Sequence, residues 1–192
     1  MMMFAGQLGA LPLDAYSMAH NVMATLSMVG LGMAVASGVR VGIEMCRNRL
    51  DEAAFAGWVG LAAVVAIMGV MGLQVFTGRN SIAAGYTDDP AIAACAAGLF
   101  AVVAFGFVPD CAQVVMGQAV RALGDAWVAV ACFIASFLVL MMPLGWIMVH
   151  RLGFDERALI DAIIAACVLA TVLLAARFHW LTRPVGPRRP HR

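Results

Sequence analysis

Long apolar runs separated by short polar clusters make up most of the chain. After an apolar stretch at residues 1–13, such runs occupy residues 15–45, 57–76, 91–120, 126–149 and 159–178. About 20 helical residues cross the hydrocarbon core of a bilayer, so each of these runs is long enough to span it. Strands of a membrane barrel need only about 9–11 residues and alternate in polarity, which these runs do not. The pattern predicts an all-α integral membrane protein, a bundle of about five full transmembrane helices plus an N-terminal partial helix.

Polar clusters mark the predicted helix ends. The sequence CRNRLDE at 46–52 ends the first long run, and Thr-Gly-Arg-Asn at 77–80 ends the second. Thr-Asp-Asp-Pro at 87–90 reads as an acidic cap followed by proline in the first turn of the third helix. Residues 11–14 are predicted to form an external turn after the partial helix. The transmembrane helical lobe, meaning the whole predicted helix bundle, then occupies residues 1–181. Residues 182–192, rich in proline and arginine, are predicted to form a disordered cytoplasmic tail.

The composition agrees with a membrane protein. Hydrophobic residues make up 64% of the 192 residues and charged residues 12%, against about 45–50% and about 25% in soluble domains. A chain with so few charges cannot build a water-soluble surface. The net charge is +1, without lysine or a basic stripe, so no nucleic-acid partner is expected. The five cysteines form no Cys-x-x-Cys pair, and we interpret them as small apolar residues rather than ligands for a metal or cofactor.

The arginines predict the orientation, because short cytoplasmic loops hold the excess of positive charge. With the C-terminus inside, only Arg79, Arg151 and Arg157 lie outside. The cytoplasmic group is Arg40, Arg47, Arg49, Arg121, Arg177, Arg183, Arg188, Arg189 and Arg192. We therefore expect a multi-pass protein of the cell inner membrane with a cytoplasmic C-terminus.

Small residues recur at spacing four on the first long helix, at Gly30, Ala34, Gly38 and Gly42. Within a membrane, rows of this kind let two helix backbones approach closely. They predict a tight helix contact here. Static packing is favoured over a contact that slides during a conformational change.

Asp110 is the most informative candidate for a functional residue, since it lies inside the third apolar run. A charged carboxylate at the bilayer centre costs about 2.5–3.5 kcal/mol on insertion scales, so something must compensate it. Loss of water favours the neutral form of a carboxylic acid, which would let Asp110 exchange a proton or a sodium ion. The alternative is a protonated structural residue that is hydrogen-bonded between helices.

Neighbours of Asp110 support the first interpretation. Pro109 frees a backbone carbonyl one turn earlier and bends the helix. Gln113 lies about one turn on, on the same face, where it can donate to the carboxylate. No metal ion other than Na⁺ at Asp110 is expected. His20 and Asn21, on the outer half of the first long helix, are weaker candidates for a proton or substrate pathway, because a histidine near a helix end is more often solvated or packed.

Several motifs then resemble one family of membrane transporters. The stretch DCAQVVMGQAVRALGD from Asp110 is similar to the tenth-helix signature of the MATE (multidrug and toxic compound extrusion) family, and its matching positions are Asp110, Gln113, Arg121, Gly124 and Asp125. Ala-His-Asn at 19–21 and Val-Arg-Val-Gly at 39–42 resemble the eighth helix. The sequence departs from the family at Asn21, where glutamine is usual, and at Ala122, where the signature has glycine. It also has no counterpart of the acidic residue on the seventh helix.

The resemblance implies the C-terminal six-helix lobe of a twelve-helix antiporter, in which Asp110 belongs to the cation site. Such a protein exports cationic or aromatic compounds in exchange for H⁺ or Na⁺. It implies no cofactor, and its partners are membrane lipid, drug-like small molecules and the missing N-terminal lobe or an equivalent subunit. Without that lobe the chain, which we interpret as a fragment, is not expected to alternate access.

Two other classes of membrane protein are alternatives to the transporter. An intramembrane enzyme would need a nucleophile and base or a pair of metal ligands, and neither Gly-x-Ser-x-Gly nor His-Glu-x-x-His occurs. No enzyme is therefore expected. A non-transporting membrane scaffold or assembly subunit is the alternative, but it leaves Asp110 without a role.

Overall fold

The computed structural model describes residues 10–87, 90–141 and 156–183, and every element in these ranges is helical. The helices are α1 (Ala10–Cys46), α2 (Leu50–Tyr86), α3 (Pro90–Ala122), α4 (Ala126–Ile134), which continues as a π-helical segment (Ala135–Met141), and α5 (Glu156–Leu181). By length and composition, α1, α2, α3 and α5 each contain a stretch able to cross a membrane. The predicted all-α membrane fold is confirmed.

Two helices are longer than predicted. The turn expected at residues 11–14 is wrong, because α1 begins at Ala10 and runs through them. Pro12 falls in the first turn, where a helix has no intrahelical acceptor for the missing N–H. Likewise α2 continues past residues 77–80 to Tyr86. The Thr77 hydroxyl donates to the Leu73 carbonyl at 2.9 Å and the Arg79 guanidinium lies 4.9 Å from the Phe76 ring centre, so both polar side chains have partners within the helix.

The remaining bounds lie close to those predicted where the structure describes them. α3 covers 90–122 against a predicted 91–120, and α5 covers 156–181 against 159–178. The last part of the predicted span 126–149 lies outside the described residues, as do residues 1–9 of the partial helix and 184–192 of the tail.

α3 is the central helix of the described bundle. It packs mainly against α1, α2 and α5, and it also contacts α4. In its most apolar window 47% of the residues are buried inside the protein, against 17%, 22% and 28% in α1, α2 and α5. Phe100, Phe107 and Met116 are completely buried on it. The other helices direct large apolar side chains outwards, as Phe55 (72% exposed) does, which suits a surface that faces lipid.

The predicted small-residue row forms the contact between α1 and α3. A Cβ added to Gly30 would collide with the Cys111 side chain, and one added to Gly38 would lie 3.2 Å from the Gln118 Cβ. Ala34, between them, is completely buried. The tight helix contact is confirmed, and it brings α1 against the segment of α3 that carries Asp110.

Two tight turns connect antiparallel helices by the same hydrogen-bond pattern. After α1, Asn48 (φ 57°) donates its N–H to the Met45 carbonyl and Arg49 donates to the Glu44 carbonyl, both at 3.0 Å. After α3, Gly124 (φ 88°) donates to Arg121 and Asp125 to Val120. These are Schellman motifs, which need a residue that tolerates the left-handed region. Glycine and asparagine at these positions therefore end both helices.

A matched pair of glycines on α2 tests this close packing. A Cβ at Gly72 would lie 2.5 Å from the Ala104 backbone carbonyl of α3, whereas one at Gly69 meets nothing within 4 Å. Gly72→Ala should destabilise the protein by about 1–3 kcal/mol, since the helices must separate. Gly69→Ala should leave stability unchanged or raise it by up to about 1 kcal/mol through helix propensity. Thermal unfolding in detergent, followed by circular dichroism, measures both, and equal melting temperatures would contradict the assigned contact.

Candidate functional site

Three helices meet at the Asp110 carboxylate. Its Oδ2 accepts a hydrogen bond from the Ser27 hydroxyl of α1 at 3.2 Å, and its Oδ1 accepts one from Gln113 Nε2 of α3 at 3.3 Å. The Cys167 thiol of α5 lies 3.9 Å from Oδ1. The side chain is half-buried. All of its protein neighbours in these contacts donate, which is the arrangement that an ionised carboxylate requires.

Gln113 completes this cluster from the interior of the bundle. It is 4% exposed, and its Nε2 also lies 3.3 Å from Cys167 Sγ. Its Oε1 is buried and has no hydrogen-bond partner among the described residues. A buried acceptor left alone costs about 1–3 kcal/mol. The amide oxygen is therefore available to a cation or a water molecule beside Asp110.

Pro109 connects the cluster to α5 through its backbone. The Thr171 hydroxyl lies 3.2 Å from the Pro109 carbonyl and 2.8 Å from the Cys167 carbonyl. Proline has no N–H, so the carbonyl of Phe105, one turn earlier, loses its helical donor. The Phe105 carbonyl is therefore left without its helical donor in the turn before Asp110, and the Pro109 carbonyl accepts a hydrogen bond from α5.

A cavity of about 760 Å³ borders this turn between α2, α3 and α5. Pro109 and Thr171 line it on the side of the carboxylate cluster. The rest of its wall is almost entirely apolar and includes the edge-to-face pair Phe76 and Phe105, whose ring centres are 5.7 Å apart. Its size and lining are those of a pocket for a small apolar or aromatic molecule.

The structure brings together some of the predicted site residues and separates others. Asp110, Gln113 and Pro109 lie within one turn of α3. His20 and Asn21 are exposed on α1, six or seven residues before Ser27 and therefore about 10 Å from it along the axis. The Asp110 contacts described above come from Ser27, Gln113 and Cys167 instead. A direct role for either stays a prediction.

The sequence does not predict that Ser27, Cys167 and Thr171 lie beside Asp110, although Ser27 is among the weaker polar candidates on the first long helix. Ser27 lies three residues before Gly30 and so shares the helix face of the small-residue row, which could have placed it against α3. Cys167 and Thr171 are four residues apart in an otherwise apolar run of α5, a spacing that puts both on one face. Nothing in the sequence says which helix that face meets. The interpretation of the five cysteines as small buried apolar residues holds for Cys111 and Cys167, whereas Cys132 is half-buried and Cys46 is exposed.

The comparison with known proteins decides the family. The MatE family model matches residues 1–147. The chain belongs to the MatE family. It is 33% identical over 94% of its length to a probable multidrug resistance protein NorM of Caulobacter vibrioides, and 30% identical over 93% to one of Xanthomonas axonopodis pv. citri. The chain spans 38% and 39% of the length of these two relatives.

A solved structure shows that this MatE chain shares the fold of the family. The crystal structure of the eukaryotic MATE transporter AtDTX14 superposes with a TM-score of 0.81 at 15% sequence identity, over 90% of this chain and 40% of that one. The resemblance inferred from the motifs is thereby confirmed, and the chain is a multi-pass membrane protein.

The end of the MatE signature stretch forms a second charged contact. Arg177 Nε of α5 donates to Asp125 Oδ2 at 2.7 Å, and the two side chains are 30% and 20% exposed. The guanidinium also lies 4.6 Å from the Trp180 ring centre. Asp125 begins α4 without a side-chain cap bond, because its carboxylate points to Arg177 instead. This pair connects the α3–α4 turn to the end of α5.

A multi-ligand metal centre is not found among residues 10–87, 90–141 and 156–183. No group of three or more His, Cys, Asp or Glu side chains there could hold a metal ion. Oxygen ligands for Na⁺ at Asp110 would have to come from Asp110 itself, Ser27, Gln113 and backbone carbonyls.

A double-mutant cycle tests the Asp125–Arg177 pair. Asp125→Asn and Arg177→Gln should each lower stability by about 1 kcal/mol, between the values for exposed and fully buried pairs. The double variant should be little worse than either single variant, since both remove the same interaction. Thermal unfolding in detergent measures all four proteins. Additive losses would show that the pair has no coupling energy.

Proposed function

We propose that this chain forms the C-terminal lobe of a cation-coupled multidrug efflux antiporter, in which Asp110 binds the coupling H⁺ or Na⁺. It acts with an N-terminal lobe or an equivalent partner subunit in the cell inner membrane, with its C-terminus in the cytoplasm, and exports cationic or aromatic compounds. The names of its relatives, multidrug resistance proteins, support the activity. The Asp110 cluster supports the coupling role.

The hydrogen bonds at Asp110 carry the proposal. A charged carboxylate at the membrane centre costs about 2.5–3.5 kcal/mol. A hydrogen bond to a charged group contributes about 1.5–3 kcal/mol, so the bonds from Ser27 and Gln113 together are of the size needed to offset that cost. The ionised form can therefore exist inside the bundle and remain able to take up a cation.

Cation binding at Asp110 has a mechanical consequence because its partners belong to different helices. When a proton or Na⁺ neutralises the carboxylate, it competes with the bonds from Ser27 on α1 and weakens the contact with Cys167 on α5. Gln113 Oε1, which has no partner in the described part of the chain, offers the cation a further ligand. Occupancy of the site thus changes how α1 and α5 are held against α3, and this change is the coupling step.

The apolar cavity beside Pro109 supports the proposed substrate class. Its volume of about 760 Å³ and its Phe76–Phe105 pair suit an aromatic compound. The Thr171 hydroxyl lines the cavity and also bonds to the Pro109 carbonyl, next to Asp110 in the chain. A bound compound and the carboxylate cluster therefore contact the same turn of α3.

Substitution of Asp110 tests the function directly. Cells that express the chain joined to its upstream coding sequence should accumulate less of a fluorescent cationic dye than cells that express the chain alone. Asp110→Asn in the joined form should abolish this difference, because an amide takes up no proton and has no negative charge for Na⁺ to neutralise. Asp51→Asn, an exposed acid in the first turn of α2, is the matched control and should retain efflux.

Two outcomes would contradict the proposal. Efflux that is unchanged by Asp110→Asn, at equal protein levels in the membrane, would make the aspartate structural. If no upstream helices are encoded and no partner restores efflux, a membrane scaffold or assembly subunit explains the chain better.

The Ser27 hydrogen bond gives a graded test of the same site. Ser27→Ala removes one donor from the ionised form of Asp110, and we expect the cation dependence of efflux to shift by about tenfold in the concentration at half-maximal rate. The maximal rate should change less, since the carboxylate remains. Ser81→Ala, at an exposed position of α2, is the control. Identical cation dependence in the two variants would exclude Ser27 from the site.

A further inference from the structure

We propose that the groove between the C-terminal half of α1 and the start of α2 binds one phospholipid whose headgroup carries a primary ammonium. The groove encloses about 500 Å³ and lies apart from the Asp110 cluster. Its polar lining consists of Ser37, Arg40 and Glu44 towards the end of α1 and Glu52 at the start of α2, where Glu52 is paired with Arg49. Its apolar wall is formed by Met33, Ala36, Ala56, Val59 and Ala63.

Two buried oxygen atoms in this groove have no partner. Ser37 is 7% exposed, and its Oγ makes no hydrogen bond within the described residues. Glu44 Oε2 is also buried and likewise makes no hydrogen bond there. Gly60 of α2 leaves the space in which the serine lies, since a Cβ there would collide with Ser37 Oγ. Buried polar atoms in native proteins are rarely left alone. A ligand with polar groups at two depths of the groove would give both atoms a partner.

The charges of the groove select the headgroup. Among residues 10–87, 90–141 and 156–183 the ion pairs are Glu44 with Arg47, Arg49 with Glu52 and Asp125 with Arg177. Arg40 is in none of them, so its guanidinium is available to an anion such as a phosphate diester. Glu44 uses only Oε1 for its pair at 3.3 Å, which leaves Oε2 as an acceptor for an ammonium group.

The order of these residues matches the order of groups in a phosphoglyceride. Ser37, Arg40 and Glu44 follow one face of α1, about 4.5 Å and about 6 Å apart along the axis. From the hydrocarbon outwards, such a lipid presents an ester carbonyl, a phosphate and the headgroup ammonium. Ser37 donates to the ester, Arg40 donates to the phosphate, and Glu44 accepts from the ammonium. The arginine bias places this end of α1 at the cytoplasmic surface.

This assignment predicts a specific lipid preference. A trimethylated ammonium has no N–H to donate to Glu44, and a glycerol headgroup has no positive charge. Phosphatidylethanolamine should therefore bind about tenfold more tightly than phosphatidylcholine or phosphatidylglycerol with the same acyl chains, the loss typical of one charge-assisted hydrogen bond.

Native mass spectrometry of the delipidated full chain, titrated with each lipid, tests the site. Arg40→Gln should weaken binding of both phosphatidylethanolamine and phosphatidylcholine by about tenfold, whereas Glu44→Gln should weaken only the former and so remove the preference. Arg183→Gln and Asp51→Asn, exposed charges that do not line the groove, should bind as the unaltered chain does.

Ser37→Ala tests the site with a substitution that should not impair folding. It removes a hydroxyl that has no protein partner in the described part of the chain, so helix content and melting temperature should be retained while lipid affinity falls. Equal affinity of the unaltered chain for the three lipids would overturn the proposal. So would lipid binding that none of the three groove substitutions changes, tighter binding of phosphatidylglycerol, or displacement of the lipid by millimolar inorganic phosphate.

Discussion

The close approach of α1 and α2 to α3 is the contact on which the rest of the structure depends. Inside a membrane no water is released when two apolar helices meet, so van der Waals contact over a short distance must hold them together. Gly30 on α1 and Gly72 on α2 each face an atom of α3 that leaves no room for a Cβ, and Gly38 lies in a tight contact with Gln118. α3 is consequently the most buried of the described helices, and Asp110 on it is half-buried within the bundle.

That burial makes the environment of Asp110 possible. The Ser27 hydroxyl can reach the carboxylate only because Gly30, one turn further on the same helix, packs directly on Cys111. Gln113 and Cys167 complete the set of donors from α3 and α5. An acidic residue that would be costly in lipid is thus in contact with donors from three helices.

α1 carries the two polar sites at different depths. Ser27 faces the carboxylate cluster, and Ser37, ten residues later, faces the groove with α2. Near Ser27, Gly30 of the same helix lets α1 pack closely on α3. Opposite Ser37, Gly60 of α2 leaves the space in which the hydroxyl lies. The proposed lipid would contact the helix that also donates to Asp110, so the two proposed sites share α1.

The sequence by itself determined that the chain is a helical membrane protein of the MatE family, that α1 has a small-residue contact face, and that Asp110, Gln113 and Pro109 share a turn. Run length, composition and spacing of three or four residues are local properties, and local properties set helices and their faces. Only the tertiary structure decided that Ser27, Cys167 and Thr171 meet that turn, that α1 extends through the expected turn at 11–14, and that α2 extends through the polar cluster at 77–80. Which helix faces which, and whether a polar side chain finds a partner, depend on contacts between residues that are 50 to 90 positions apart.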